Sequence, residues 1–485
     1  MKVIDIKLVI RIMSFLLLIE TFFMLISAGV GYYYSEPSTK YLLYSSGLTA
    51  FLGLLGVLTT PKINRNLHKR EGYLVVSLVW VVFSIFGMLP AYWSEHICTV
   101  TDAFFETMSG FSTTGATIIQ DIDNFPRGLM IWRCLQQWLG GMGIVVLSLA
   151  ILPLITEGGM SLFSAESTGP TKDKIHSKIS YTAKVFWGTY IGLTTLNAVS
   201  LWLGGMGVFD SICHALTTLS TGGFSTKSAG LGYWSSSLLE YITIVFMFLG
   251  GTNFTMFFFL FKGQFKKIFS NEELKYYFLT VLFFSALICS SLILNKIEYS
   301  YSEAIKDSLF YVTSMITTTG QITVDFMIWP PFVFTLLWIV MLLGASSGST
   351  SGGIKITRIV LLLKNSFYEF KRLIHPNAVI PIRYNGQLVQ PQIINNVLAF
   401  VVVYMIVVLI STVLFTATGL SFEDAFGASA SALGNVGPSI GTIGTGNFSH
   451  FTPAAKWLMS FLMLVGRLEF FAVLLLFTPI FWKRQ

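Results

Sequence analysis

Charge is scarce in this chain. Of 485 residues only 11% are Asp, Glu, Lys or Arg, where soluble domains carry roughly 25%. That is too little to cover a soluble protein of this size, and it excludes a soluble globular enzyme and a disordered chain. Cysteine is scarce too. Cys98, Cys134, Cys213 and Cys289 form no close pair, which excludes a disulfide framework and a zinc ribbon. The six histidines show no metal-binding spacing. No Walker pattern exists, and Gly140-Gly-Met-Gly143 and Gly204-Gly-Met-Gly207 read as small-residue helix contacts rather than nucleotide loops. What the chain has is apolar mass: 53% hydrophobic residues, 43 phenylalanines and a mean hydropathy of +0.69. The expected class is an all-α polytopic membrane protein lying largely in lipid. The first residues lead into an apolar run without a small-residue cleavage site, so the run reads as a retained helix.

A membrane-crossing helix needs about 20 mostly apolar residues. Ten such runs are present: Ile12–Ser35 (broken by Glu20), Tyr41–Pro61, Tyr73–Ser94, Cys134–Thr156, Val185–Phe209, Tyr241–Phe261, Tyr276–Asn295, Phe326–Ile354, Tyr384–Phe422 and Trp457–Trp482. An even number places both termini on one side. With the N-terminus inside, 23 of the 31 Lys and Arg residues fall in inner segments, 7 in outer segments, and Arg467 within a run. That asymmetry predicts cytoplasmic termini. It also accounts for the net charge of +7 without a nucleic-acid partner.

The outer segments repeat. Asp102 to Gly115, Asp210 to Gly223, Asp307 to Gly320 and Asp424 to Gly437 each open on an acid, pass through a Ser/Thr/Gly-rich stretch and reach a glycine 13 positions on. Thirteen residues make about three turns of helix, too short to span, and the opening Asp complements the helix dipole. The predicted unit is a half-helix that dips in from outside and returns as extended chain. Carbonyls at membrane depth are tolerated where they are buried in protein or line a water-filled path. Four such chains around an axis present a ring of carbonyls that can replace an ion's water shell. Glycine lets its carbonyl aim inward, and four negative helix ends favour a cation.

Two features stand apart from the repeat. The stretch Gly344-Ala345-Ser346-Ser347-Gly348-Ser349-Thr350-Ser351-Gly352-Gly353 is a poor helix former inside the eighth run. It reads either as a loop just past the end of a span or as an unwound segment at a cavity. Lys355 closes it, placed to attract anions or to pair with an acid of another helix. Arg467 lies about 15 Å into a run that starts near Trp457, where a buried Arg faces a cavity or a partner. Its two readings are a structural ion pair and an electrostatic barrier in the ion path. Glu469, two positions on, points to a different face. The ionisable residues within or at the edge of the runs, essentially Glu20, Arg133, Arg467 and Glu469, make no catalytic set, so no enzyme is expected. His214 reads as a packed or hydrogen-bonded residue.

The segments Ser112-Thr-Thr-Gly115-Ala-Thr117, Ser220-Thr-Gly-Gly223-Phe-Ser-Thr226 and Thr317-Thr-Thr-Gly320, with Trp138-Leu-Gly-Gly-Met-Gly143, Gly348-Ser-Thr-Ser-Gly-Gly-Ile-Lys355 and Gly466-Arg-Leu-Glu469, resemble the Trk/Ktr/HKT superfamily of potassium transporters. The resemblance covers essentially the entire chain and is greatest to the bacterial membrane subunits. It implies two accessory helices over residues 1–71, then four helix–pore-loop–helix units around a pseudo-four-fold pore, over 72–165, 166–270, 271–380 and 381–485. It further implies potassium held by backbone carbonyls of Thr113 and Thr114, Thr221 and Gly222, Thr318 and Thr319, and Asn435 and Val436, ahead of Gly115, Gly223, Gly320 and Gly437. In plant relatives Ser at the first of these glycines goes with sodium transport, so four glycines favour potassium. The fourth segment, Asn435-Val436-Gly437-Pro438, departs from the Thr-rich pattern. By the same resemblance, residues 344–353 with Lys355 and Arg467 form a gate below the filter. Potassium is substrate, no cofactor is held, and the function is uptake across the bacterial inner membrane, with a sodium- or proton-coupled symporter of the same fold as the alternative. The implied partners are membrane lipid, a second copy in a homodimer, and a cytosolic nucleotide-binding regulatory protein of the TrkA type. The basic inner segments Glu157–Lys184 and Lys355–Arg383 offer that protein a docking face.

Overall fold

The computed structural model describes residues 4–61, 68–143, 179–295, 300–378, 380–441, 444 and 446–482. The fourth apolar run beyond Gly143, the boundary at 165/166 and most of Glu157–Lys184 lie outside the described residues.

The chain is dominated by helices. Ile6–Tyr33, Thr39–Thr59, Arg70–Trp93, Glu272–Leu294 and Pro391–Ala417 are long and apolar enough to cross a membrane. Ile179–Leu203 adds a further helix of 25 residues. The first two helices pack against each other, and the connection between them also starts another element. Glu36 accepts hydrogen bonds from the backbone N–H groups of Arg127 and Gly128 at 2.7 and 2.9 Å. A carboxylate there satisfies free donors at the positive end of helix Arg127–Gly141.

Four short helices, Val100–Phe111, Val208–Leu219, Tyr301–Ile316 and Phe422–Gly434, carry the repeated segments. In three of them the Asp stands in the first turn. Thr99 and Ser421 cap the N–H groups of Asp102 and Asp424 at 3.1 and 3.2 Å. The third differs from expectation. Ser300 and Glu303 form a reciprocal capping box that starts the helix at Tyr301, so Asp307 sits more than a turn inside. There it is buried, 3.5 Å from Lys306, which also pairs with Glu240 at 2.6 Å.

Among the described residues, the helix that follows each short helix is interrupted. Arg127–Gly141 stops at Met142. Ser237–Gly250 and Phe254–Phe261 meet at a bend of 97°. Pro331–Leu342 gives way to the glycine–serine stretch. Pro453–Arg467 stops before Glu469 and Phe470, whose φ values of 52° and 59° no helix continues. Three of the breaks share a cause. A Cβ on Gly140, Gly250 or Gly466 would lie 1.9, 3.3 or 2.2 Å from the carbonyl oxygen of Phe111, Leu219 or Leu433. Each of those carbonyls comes from the last turn of the same unit's short helix. The short helix therefore abuts its return helix at one level; at Gly140 and Gly466 only a residue without a side chain fits, and at Gly250 the contact is tight. Arg467 consequently ends its helix rather than lying in the middle of one.

Candidate functional site

Each short helix ends in the same turn. Thr113, Thr221, Thr318 and Asn435 adopt φ of 56°, 54°, 56° and 54°. The next residue's N–H donates back to the carbonyl of Ser109, Thr217, Ser314 or Ser431 at 2.9, 2.9, 2.9 and 3.0 Å. Then come Gly115, Gly223, Gly320 and Gly437, at φ of 82°, 76°, 68° and 97°. Left-handed backbone costs an ordinary residue about 1–2 kcal/mol, and it is a genuine outlier for a β-branched one. Three threonines held there together mark a place where the surroundings over-determine the backbone. Asn tolerates this region better, which suits the departure from threonine at position 435.

The four turns close on one another. A Cβ on Gly115 would lie 2.1 Å from the carbonyl oxygen of Gly222, one on Gly223 1.8 Å from that of Thr319, one on Gly320 1.9 Å from that of Val436, and one on Gly437 2.5 Å from that of Thr114. Each glycine abuts the carbonyl preceding the glycine of the next unit, and the fourth returns to the first. Thr113, Thr114, Thr221, Thr318, Thr319, Asn435 and Val436 are all fully buried. Gln137 braces the ring from outside. Its Nε2 donates to Gly222 O at 2.7 Å, and its Oε1 accepts from Phe224 N–H at 3.0 Å. Asn435 Nδ2 donates to Thr114 Oγ1 and to Met463 O, both at 2.9 Å, tying the fourth turn to the first.

The stretch 344–353 is folded into the protein rather than left outside it. All of it is buried except Gly348 and Ser349. Its neck is a parallel pairing of Leu343–Gly344 with Ile354–Lys355. Gly352 N–H donates to Thr318 Oγ1 at 2.7 Å, so the stretch touches the ring directly. Thr350 Oγ1 sits 3.1 Å from both Leu219 O and Gly250 O. Glu273 Oε1 accepts from Ser347 N–H and from Thr357 Oγ1, each at 2.5 Å. Arg467 Nη1 donates to Thr350 O at 2.8 Å and Thr113 Oγ1 at 3.2 Å, and its Nη2 donates to Gly140 O and Gly141 O at 2.5 and 3.0 Å. One guanidinium therefore joins the stretch, the ring and the break in the first unit. Glu469 pairs with Arg358. Lys355 donates to the carbonyl and hydroxyl of Ser351, within its own stretch. Sequence reasoning misses Gln137 and Glu273. Their signal is a polar residue in or beside an apolar run, which carries a function or a partner more often than not.

Residues 47–484 match the TrkH family, described as cation transport protein. The Trk system potassium uptake protein TrkH of Escherichia coli (strain K12) is 37% identical over 476 residues, 98% of each chain. The Trk system potassium uptake protein TrkG of the same organism is 32% identical over 482 residues, 99% of each chain. The crystal structure of the potassium transporter TrkH from Vibrio parahaemolyticus superposes with a TM-score of 0.90 at 34% identity, covering 99% of this chain and all of that one. The motifs around the ring, the buried stretch and the Arg-Leu-Glu break thus sit in a chain that is similar to these proteins from end to end, and it belongs to the TrkH family of cation transport proteins.

Proposed function

We propose that the protein takes up potassium across the bacterial inner membrane, with the ring as its selectivity filter. The observation that carries this reading is the closed cycle of four glycine–carbonyl contacts. A ring of backbone carbonyls from four equivalent turns is the chemistry that replaces a potassium ion's water shell. The four helix C-termini behind it add negative potential. In this reading Thr113, Thr114, Thr221, Gly222, Thr318, Thr319, Asn435 and Val436 supply the carbonyls, and residues 344–353 with Arg467 form the gate. Both termini face the cytoplasm, a second copy completes a homodimer, and a cytosolic nucleotide-binding regulatory protein sets the gate. The names of the relatives, potassium uptake proteins of the Trk system, support the choice of ion.

The test is rescue of a potassium-uptake-deficient bacterium at low potassium. Wild type is expected to restore growth. Gly115→Ser is expected to abolish rescue or to admit sodium, because any Cβ there meets Gly222 O at 2.1 Å. Normal rescue by Gly115→Ser with selectivity intact would refute the filter assignment.

A further inference from the structure

Behind the ring, the residue four positions past the Asp recurs as a brace in three of the four units. In the first unit this is Glu106, buried with 2% exposure. Its carboxylate accepts from Thr117 Oγ1 at 3.0 and 3.1 Å and from Ile118 N–H at 2.9 Å, so it holds the chain two and three residues beyond Gly115. Arg133, also buried, pairs with Glu106 at 2.6 Å. Its guanidinium lies 4.0 Å from the centre of the Phe224 ring, and Phe224 directly follows Gly223. In the second unit the same position is His214, whose Nε2 lies 3.3 Å from Ser225 Oγ, two residues beyond Gly223. In the third it is Tyr311. Its hydroxyl donates to Val324 O at 2.5 Å and accepts from the N–H groups of Thr323 and Val324 at 3.2 and 3.1 Å. In the fourth it is Ala428, which has no reach. There the neighbouring Gly427 lets backbone meet backbone, with a Cβ placed only 2.4 Å from Ile440 O.

A carboxylate, an imidazole and a phenol thus make the same connection, from the short helix to the strand that leaves the ring. We propose that Glu106 with Arg133, His214 and Tyr311 are positioning residues that set the ring's discrimination between potassium and sodium. This rests on the filter reading above. A carbonyl ring favours the larger ion only while its oxygens resist closing onto a smaller one, and the braces supply that resistance by fixing the strands from behind. The ion pair of the first unit is the stiffest, since charge-assisted hydrogen bonds are roughly twice as strong as neutral ones. It also bridges two adjacent units through Phe224.

The test uses the full-length protein in proteoliposomes, with rubidium (as a potassium substitute) and sodium uptake measured in parallel. Tyr311→Phe deletes one hydroxyl and keeps the ring, so folding is least disturbed. The hydroxyl makes three hydrogen bonds, and the sodium-to-rubidium ratio is expected to rise by at least about threefold to tenfold, the worth of one of them. Glu106→Gln is expected to raise the ratio further, and Glu106→Gln with Arg133→Gln to restore part of it by removing the orphaned charge. A role in folding alone lowers both fluxes together and leaves the ratio where it was. An unchanged ratio in Tyr311→Phe and in folded Glu106→Gln overturns the proposal. Gly115→Ser, run alongside, separates the two readings. If it shifts the ratio while the braces do not, the filter stands and the braces fall. If it too leaves the ratio unchanged, the filter reading has failed.

Discussion

Replacing Arg467 probes two effects of similar size. The side chain donates one of its hydrogen bonds to Thr350 O at 2.8 Å, and a hydrogen bond from a charged donor contributes about 1.5–3 kcal/mol. Losing it raises the fraction of molecules with the buried stretch displaced by about 10- to 150-fold, since each 1.4 kcal/mol is a factor of about ten. In the proposed gate the positive charge itself also opposes a passing cation. For an ion passing at about 8 Å, with an effective dielectric of about 20, the repulsion is about 2 kcal/mol, or roughly 30-fold in rate. Arg467→Ala removes both effects, so basal potassium flux from proteoliposomes lacking any regulator should rise at least tenfold. Arg467→Lys distinguishes them. Lysine keeps the charge but cannot span the fork that reaches Thr113, Thr350, Gly140 and Gly141. Flux near wild type in the lysine variant assigns the barrier to charge; flux near that of alanine assigns it to the tether. Unchanged flux in Arg467→Ala, at equal reconstituted protein, would sink both.

Two more contacts of the buried stretch are open to direct test. Thr318→Val keeps the shape but leaves the Gly352 N–H, now 2.7 Å from the hydroxyl, without its acceptor. An unsatisfied buried donor costs about 1–3 kcal/mol, so basal flux should rise at least fivefold, and a fall in flux would contradict the contact's holding role. Glu273→Ala removes the acceptor shared by Ser347 N–H and Thr357. With the native cysteines replaced by serine and Ser349→Cys as reporter, thiol labelling should quicken about tenfold for a loss of that size; an unaltered labelling rate would show that Glu273 does not hold the stretch.

The repeat is legible in the sequence because it rests on backbone geometry. At Gly115, Gly223, Gly320 and Gly437 a positive φ coincides with a neighbouring carbonyl oxygen 1.8–2.5 Å from where a Cβ would stand, and together these restrict the residue to glycine, so the glycine 13 positions past each Asp recurs in four divergent copies. The helix breaks are not legible. Gly140, Gly250 and Gly466 stand in apolar runs where glycine equally well serves close packing of straight helices, and only the approach of a carbonyl from the short helix decides the matter. The third short helix starts earlier than its Asp suggests for a local reason, the capping box at Ser300 and Glu303. The braces at Glu106, His214 and Tyr311 share a position but no residue type, so no motif records them. For the stretch 344–353 the sequence leaves two readings open. Its hydroxyls and glycines are those of any loop, and its burial depends on Glu273, Thr318 and Arg467, contributed by three other elements.

The contact between the fourth unit and the first bears on how the protein is made. Thr117 and Asn447 form a backbone bridge, Lys456 pairs with Asp102 at 2.6 Å, and Phe104 lies against Trp457. The bridged residues are 330 positions apart. At a synthesis rate of about 5–20 residues per second, the first unit waits roughly 15–65 s for its neighbour to leave the ribosome. Until then its polar turn lacks the flank that the fourth unit supplies in the finished fold. The nascent chain therefore passes through an open arc, and the last stretch to be translated is the one that turns the arc into a closed circle.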